Sequence, residues 1–130
     1  VPITHGHIIT VVATPKKSIT KEEVVQEFCA HPRIQVVRIA DGFATNTSLF
    51  QFSRFAHRPA ADMYEVAVYE ETVGFIGSDL VYAIYIPQEA VTIPETIDGI
   101  RASLKMQTDR LQAVSLTNKH LGLEPKIPLS

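Results

Sequence analysis

The apolar residues of this chain fall in short β-branched runs broken by Pro, Gly and helix-start signals, a spacing that leaves room only for short strands interleaved with helices. The first run, His5 to Ala13, has strand length and ends at Pro15-Lys16-Lys17. Thr20 then stands as an N-cap with Glu23 three residues on. Hydroxyl and carboxylate can each satisfy an amide at the start of a helix whose apolar face is Val24, Val25 and Phe28, closed by Pro32. Arg33 to Ile39 predicts a second strand ended by Asp41-Gly42. Asn46-Thr47-Ser48 offers capping side chains for a helix carrying Leu49, Phe52 and Ala56, with Pro59 beyond its end. Tyr64 to Glu70 and Leu80 to Ile86 predict antiparallel neighbours, the second following the Gly77-Ser78-Asp79 turn. Thr72 to Ile76 either extends the first of them or forms a short strand. Pro94 suits the first turn of a helix in which Ile97, Ile100 and Leu104 share a face. Thr108 is expected to cap a last helix running to Leu121 and stopped by Gly122. The order βαβαββα(α) reads as an α+β fold, a largely antiparallel sheet covered by helices in a single domain over 1–130.

Composition narrows the function classes. With 130 residues and 45% hydrophobic content, the chain can bury a core without covalent staples. A net charge of −2 and the absence of a basic run argue against a nucleic-acid partner, which needs clustered Lys and Arg. Cys29 is the only cysteine, which excludes an intrachain disulfide and a Cys-rich zinc site, and suits a reducing cytoplasm. No apolar stretch approaches the roughly 20 residues that cross a bilayer, so no membrane partner is expected. The chain begins without Met and its opening already reads as a structured element, which suggests the C-terminal piece of something longer.

Chemistry is concentrated in two places. If the first strand is regular from Thr4, His5 and His7 point to one face, roughly 6–7 Å apart, and can line one pocket. A histidine there can act as a base toward a thiol or an acid toward an oxyanion. The pair could instead begin a metal site, although no third ligand follows from spacing, or be ordinary strand-end residues. Gly6 between them permits close approach of another backbone or a ligand. Gln88-Glu89 follows the Leu80 to Pro87 strand, where loop side chains reach a ligand held by a rigid sheet, or simply face water. Cys29 lies near a helix C-terminus, with neither a helix N-terminal dipole nor a local His-Cys motif to activate it, and reads as structural; His31, His57 and His120 sit at predicted helix ends, where a cation complements the dipole. Asn46-Thr47-Ser48 can bind an anion or merely cap. Arg101 invites a charge partner, an interface or solvent, and Asp62 with Glu65 is assigned no catalysis.

Taken in order, Thr4-His5-Gly6-His7, the stretch Asp62 to Glu71, Gln88-Glu89, the stretch Pro94 to Ala102 and Thr117-Asn118-Lys119 resemble the C-terminal catalytic portion of archaeal-type glyceraldehyde-3-phosphate dehydrogenases. The resemblance implies a parent enzyme that oxidises a phosphorylated triose with NAD or NADP and inorganic phosphate. In that chemistry a cysteine thiolate adds to the aldehyde, hydride leaves for the nicotinamide, and phosphate cleaves the thioester while a histidine assists proton transfer. It implies that His5 or His7 is the catalytic histidine and that Gln88 contacts cofactor or substrate near the nicotinamide. It also implies a homo-oligomer.

The chain departs from the family pattern in ways that matter. No Gly-rich dinucleotide fingerprint follows a predicted strand, and nothing resembles the Ser-Cys-Asn-Thr nucleophile motif. Pro87 and Ala90 stand where the family commonly has His and Ser around Gln-Glu, which leaves open an aldehyde dehydrogenase acting on another phosphorylated or acyl substrate. The isolated chain is therefore expected to be inactive and to bind no cofactor alone, its missing nucleotide-binding domain or chain acting as partner and docking on exposed apolar surface such as Ile84 and Ile86. The alternative is a free-standing, non-catalytic binding or assembly module with the same fold.

Overall fold

A computed structural model of the protein describes residues 5–56 and 58–123. Local signals set most of its elements. Thr20 accepts from the Glu23 amide while the Glu23 carboxylate accepts from the Thr20 amide at 2.8 Å, a complete capping box that starts helix α1, Lys21–Ala30. Gly122, at φ 69°, ends the last helix, α4, Arg110–Leu121, in the left-handed conformation that glycine adopts without strain. Two caps sit one residue away from the expected position. Thr45, not the Asn46-Thr47-Ser48 group, caps α2, Asn46–Phe55, and Asp109, not Thr108, caps α4. In each case the preceding residue or the following one is also a capping type, and the backbone conformation selects between them.

The strands are β1, His7–Ala13, β2, Ile34–Val37, β3, Val66–Tyr69, β4, Gly74–Ile76, and β5, Asp79–Ile86. Their order is β1-β5-β3-β2, with β4 also on β5. Every pairing is antiparallel except β2 with β3, so the expected α+β fold with a largely antiparallel sheet is observed, β3 and β5 being the antiparallel neighbours anticipated. β4 occupies the Thr72 to Ile76 stretch as a separate short strand. β2 stops at Val37, short of the expected Ile39, because the chain turns through Ile39–Asp41, held by the Arg38–Asp41 ion pair at 2.7 Å and by Glu71 Oε1 accepting from the Ile39 amide.

Alternation along β5 divides the core. On one face Tyr82 and Ile84 join Val68, Val24 and Val73 under α1, and on the other Tyr85 joins Val37, Ala67 and Leu49 under α2. A third cluster of Tyr64, Ala90 and Leu123 ties α3, Thr92–Ser103, and the end of α4 to the sheet. Ile84 is thus partly buried in the chain's own core. Exposed apolar residues include Ile8, Ile9 and Val12 on the outer strand β1, Ile100 on α3 and Leu104 at its C-cap.

Two buried arginines lock elements together. Arg58 pairs with both oxygens of Glu65, at 3.1 and 2.6 Å, with side chains 5% and 1% exposed. Arg33 donates to Asn118 at 3.0 Å, to Glu95 at 2.5 Å and to Asp98 at 2.5 Å, so one planar fork at the start of β2 holds both α3 and α4. Among the described residues no helix is long and apolar enough to cross a membrane.

Candidate functional site

Because β1 and β3 both run antiparallel to β5, the start of β1, the entry of β3 and the exit of β5 meet at one end of the sheet. Both sequence-derived centres of chemistry are there. His7 pairs in register with Ile86, and its Nε2 is hydrogen-bonded to Oε1 of Gln88, 81 residues away in the chain. Gln88 is carried on a tight turn in which the amides of Ala90 and Val91 donate to the Pro87 carbonyl at 3.1 and 2.9 Å. Pro87 fixes its own φ and Ala90 is buried against Tyr64 and Leu123, so the two positions that depart from the family pattern serve to hold the turn.

His5 is placed differently. The strand begins at His7 rather than His5, since Gly6 takes a φ of 66° and breaks the regular alternation. The expected side-by-side geometry from Thr4 onward is corrected accordingly, Thr4 itself lying outside the described residues. His5 stacks on Phe50 with ring centroids 4.5 Å apart and planes at 16°, and its carbonyl accepts from the Asn46 side chain at 3.1 Å. Asn46, expected as a cap or an anion contact, instead anchors the histidine segment to α2. Gly6 meets the close approach anticipated for it: a Cβ there would lie 2.6 Å from Tyr85 Cε2.

A cleft of about 280 Å³ opens beside His5, walled by Phe50, Asp62, Met63, Tyr85 and Glu89. His7 is not part of that wall, so the two histidines face different surroundings. Burial, then Glu89, then Tyr69 push the Tyr85 phenol above its ordinary value. A more apolar cleft of about 320 Å³ lies on the α1 side among Phe28, Tyr82 and Ile84, and none of His5, His7 or Gln88 reaches it.

The remaining candidates are dispersed. Glu65 is sealed in its pair with Arg58, away from any partnership with Asp62. Arg101 meets Asp98 at 3.5 Å and Thr117, a charge partner within the chain. Cys29 is exposed on α1, and His31, the C-cap of α1, accepts from the Arg33 amide through Nδ1. His120 lies in the last turn of α4, and His57 lies outside the described residues. Among the described residues no group of three His, Cys, Asp or Glu could hold a metal ion. Nor do the glycines form a pyrophosphate cradle: Gly42 follows a short turn, Gly77 joins β4 to β5, and Gly122 ends a helix. Among the described residues the glycines therefore do not fit the pyrophosphate of a dinucleotide.

Fold and site define an α+β unit whose sheet end brings together a histidine and a glutamine 81 residues apart in the sequence. No family model matches the chain. Over nearly its whole length it is similar to archaeal proteins named glyceraldehyde-3-phosphate dehydrogenase. That of Thermococcus kodakarensis is 35% identical over 123 residues, which is 95% of this chain and 36% of that protein. Those of Methanocaldococcus jannaschii, at 30% over 124 residues, and Pyrococcus abyssi, at 32% over 123, have the same coverage. The resemblance read from the sequence is borne out, and the chain spans about a third of the length of the curated relatives it matches.

Proposed function

We propose that this chain is the C-terminal catalytic-domain part of a cytoplasmic, NAD(P)-dependent, phosphorylating glyceraldehyde-3-phosphate dehydrogenase. The nucleophilic cysteine and the dinucleotide-binding domain lie outside it. The observation that carries the reading is the meeting of His7 with Gln88: two residues singled out separately by resemblance come together at one end of the sheet. The nicotinamide, when bound by the rest of the protein, accepts hydride. This chain's own residues hold a proton acceptor at His5 or His7, place the Gln88 amide toward the cofactor side, and wall a cleft for a polar substrate with Asp62, Glu89 and Tyr85.

The exposed Ile8, Ile9 and Val12 on the outer strand support a covering partner, either the rest of the protein or another copy in a homo-oligomer. The test is a full-length assay of glyceraldehyde-3-phosphate oxidation with NAD and with NADP, with and without phosphate, in the wild type and in His5→Ala and His7→Ala variants. Phosphate-dependent activity lost in one of the histidine variants supports the reading. Activity that persists in both variants refutes the assigned role of the histidines, and a full-length protein inert on phosphorylated and other aldehydes favours the non-catalytic module.

A further inference from the structure

The histidine pair is unequal: among the described residues the His7 ring has a hydrogen-bond partner and the His5 ring has a stacking one. The oxygen of a carboxamide only accepts, so the contact between Gln88 Oε1 and His7 Nε2 requires the proton of a neutral His7 to sit on Nε2. The lone pair is then confined to Nδ1. The backbone that carries the acceptor is held in place, because Gln88 rides on the turn closed by the Ala90 and Val91 amides on Pro87, directly after the strand that pairs with His7. His5 has no such constraint. Among the described residues its ring stacks on Phe50 but makes no hydrogen bond, and the Asn46 anchor grips its backbone only.

We propose that Gln88 is a positioning residue that fixes His7 in the Nε2–H tautomer and leaves Nδ1 as the ring nitrogen of His7 that can accept a proton. Its chemistry is that of a group bound to one ring nitrogen so that the other serves as base. His5 and Phe50 form a wall of the neighbouring cleft. This rests on the function proposed above, and the experiment separates the two.

Ring ¹⁵N NMR of the protein labelled at histidine, with the His7 signals identified by their loss in His7→Gln, reports the tautomer without any substrate. The wild type is expected to show a single Nε2–H tautomer with an observable Nε2 proton. Gln88→Glu retains it because an acceptor remains, and Gln88→Leu loses the proton signal and shows mixed tautomers while the His5 signals stay unchanged. Because Gln88 is exposed, these variants are expected to fold. A wild-type His7 protonated at Nδ1, or a tautomer unchanged in Gln88→Leu, overturns the positioning role. In the full-length assay His7→Ala is expected to lower kcat by about 10²–10⁴-fold, with Gln88→Leu lowering kcat more than it raises KM and Gln88→Glu restoring most of the loss. If the loss falls on His5→Ala while His7→Ala and Gln88→Leu keep wild-type kcat, a catalytic effect of the positioning is overturned. A full-length protein that is inactive while the Nε2 proton is present refutes the proposed function and leaves the positioning by Gln88 standing.

Discussion

Replacing Gly6 by Ala tests the packing that sets the two histidines. Gly6 has a φ of 66°, and a Cβ there falls inside van der Waals distance of the Ile86 carbonyl oxygen and 2.6 Å from Tyr85 Cε2. Neither obstacle yields easily: one is backbone in the β1–β5 ladder, and the other belongs to a ring only 2% exposed. Gly77 is the matched control, with a φ of 61° and nothing within 4 Å of the point where an alanine methyl would stand. The left-handed conformation alone costs an alanine about 1–2 kcal/mol, and this applies to both sites. Overpacking adds about 1–3 kcal/mol at Gly6 only. Urea unfolding is therefore expected to place the midpoint of Gly6→Ala about 1 M below that of Gly77→Ala, for an m-value of typical size. Equal midpoints would refute the close packing of the histidine segment on Tyr85. The stacking of His5 on Phe50 depends on the same segment, so the His5 ring signals are expected to shift in Gly6→Ala and to stay in place in Gly77→Ala.

Three further outcomes are expected. Glu65→Leu leaves the Arg58 guanidinium buried without its carboxylate and should destabilise by about 3–5 kcal/mol, whereas Arg58→Met with Glu65→Leu should recover much of that loss; a double-mutant cycle in urea measures both. Thr20→Ala removes the capping box and should cost about 1 kcal/mol. The Glu23 carboxyl is held below its ordinary value by the Thr20 amide, so its contribution is present above the unfolded-state pKa and is lost as pH falls through the lower folded value, a pH dependence that unfolding curves should no longer show in Glu23→Gln. Tyr85 and Tyr69 should ionise above the ordinary tyrosine range in an alkaline absorbance titration, both being raised by burial, and Glu89→Gln should move Tyr85 down. With folded values above unfolded ones, their contribution is full below the unfolded pKa and is lost as pH rises through the folded values.

Local chemistry made much of the fold legible. The Thr20 and Glu23 capping box, the Gly122 stop and the β-rich run of β5 each involve residues close in sequence, and each appears where the sequence placed it. Cap positions slipped by one residue where capping types are adjacent, as in Thr45-Asn46 and Thr108-Asp109, because only the tertiary path decides which residue turns extended. The buried pairs were illegible for a different reason. Arg33 meets Glu95, Asp98 and Asn118 across 62, 65 and 85 residues, a separation over which no periodicity speaks. A cation set between Pro32 and Ile34 at the head of an apolar strand was the available signal, since burial there demands paired acceptors. At the site, residue types named His5, His7 and Gln88, but only the register of β1 on β5 and the left-handed Gly6 separate the roles of the two histidines.

The stretches that carry the resemblance divide by what they touch. Glu95, Asp98, Thr117 and Asn118 all belong to the network around Arg33, with Arg101 joined through Asp98 and Thr117. Their chemistry demands charge and fork geometry for the docking of α3 and α4, and none of them lines the cleft beside His5. Glu65, within another of the stretches, is equally consumed by Arg58. In this chain these segments therefore hold helices to a sheet, and a chain that had lost all catalysis would need them just as much. The pairing of His7 with Gln88 is different in kind, since two exposed side chains contribute little to stability and their replacement leaves the core intact. Substitutions at Arg33 or Asp98 should thus lower stability and activity together. Substitutions at His7 or Gln88 should separate the two, and that separation distinguishes a site from a scaffold.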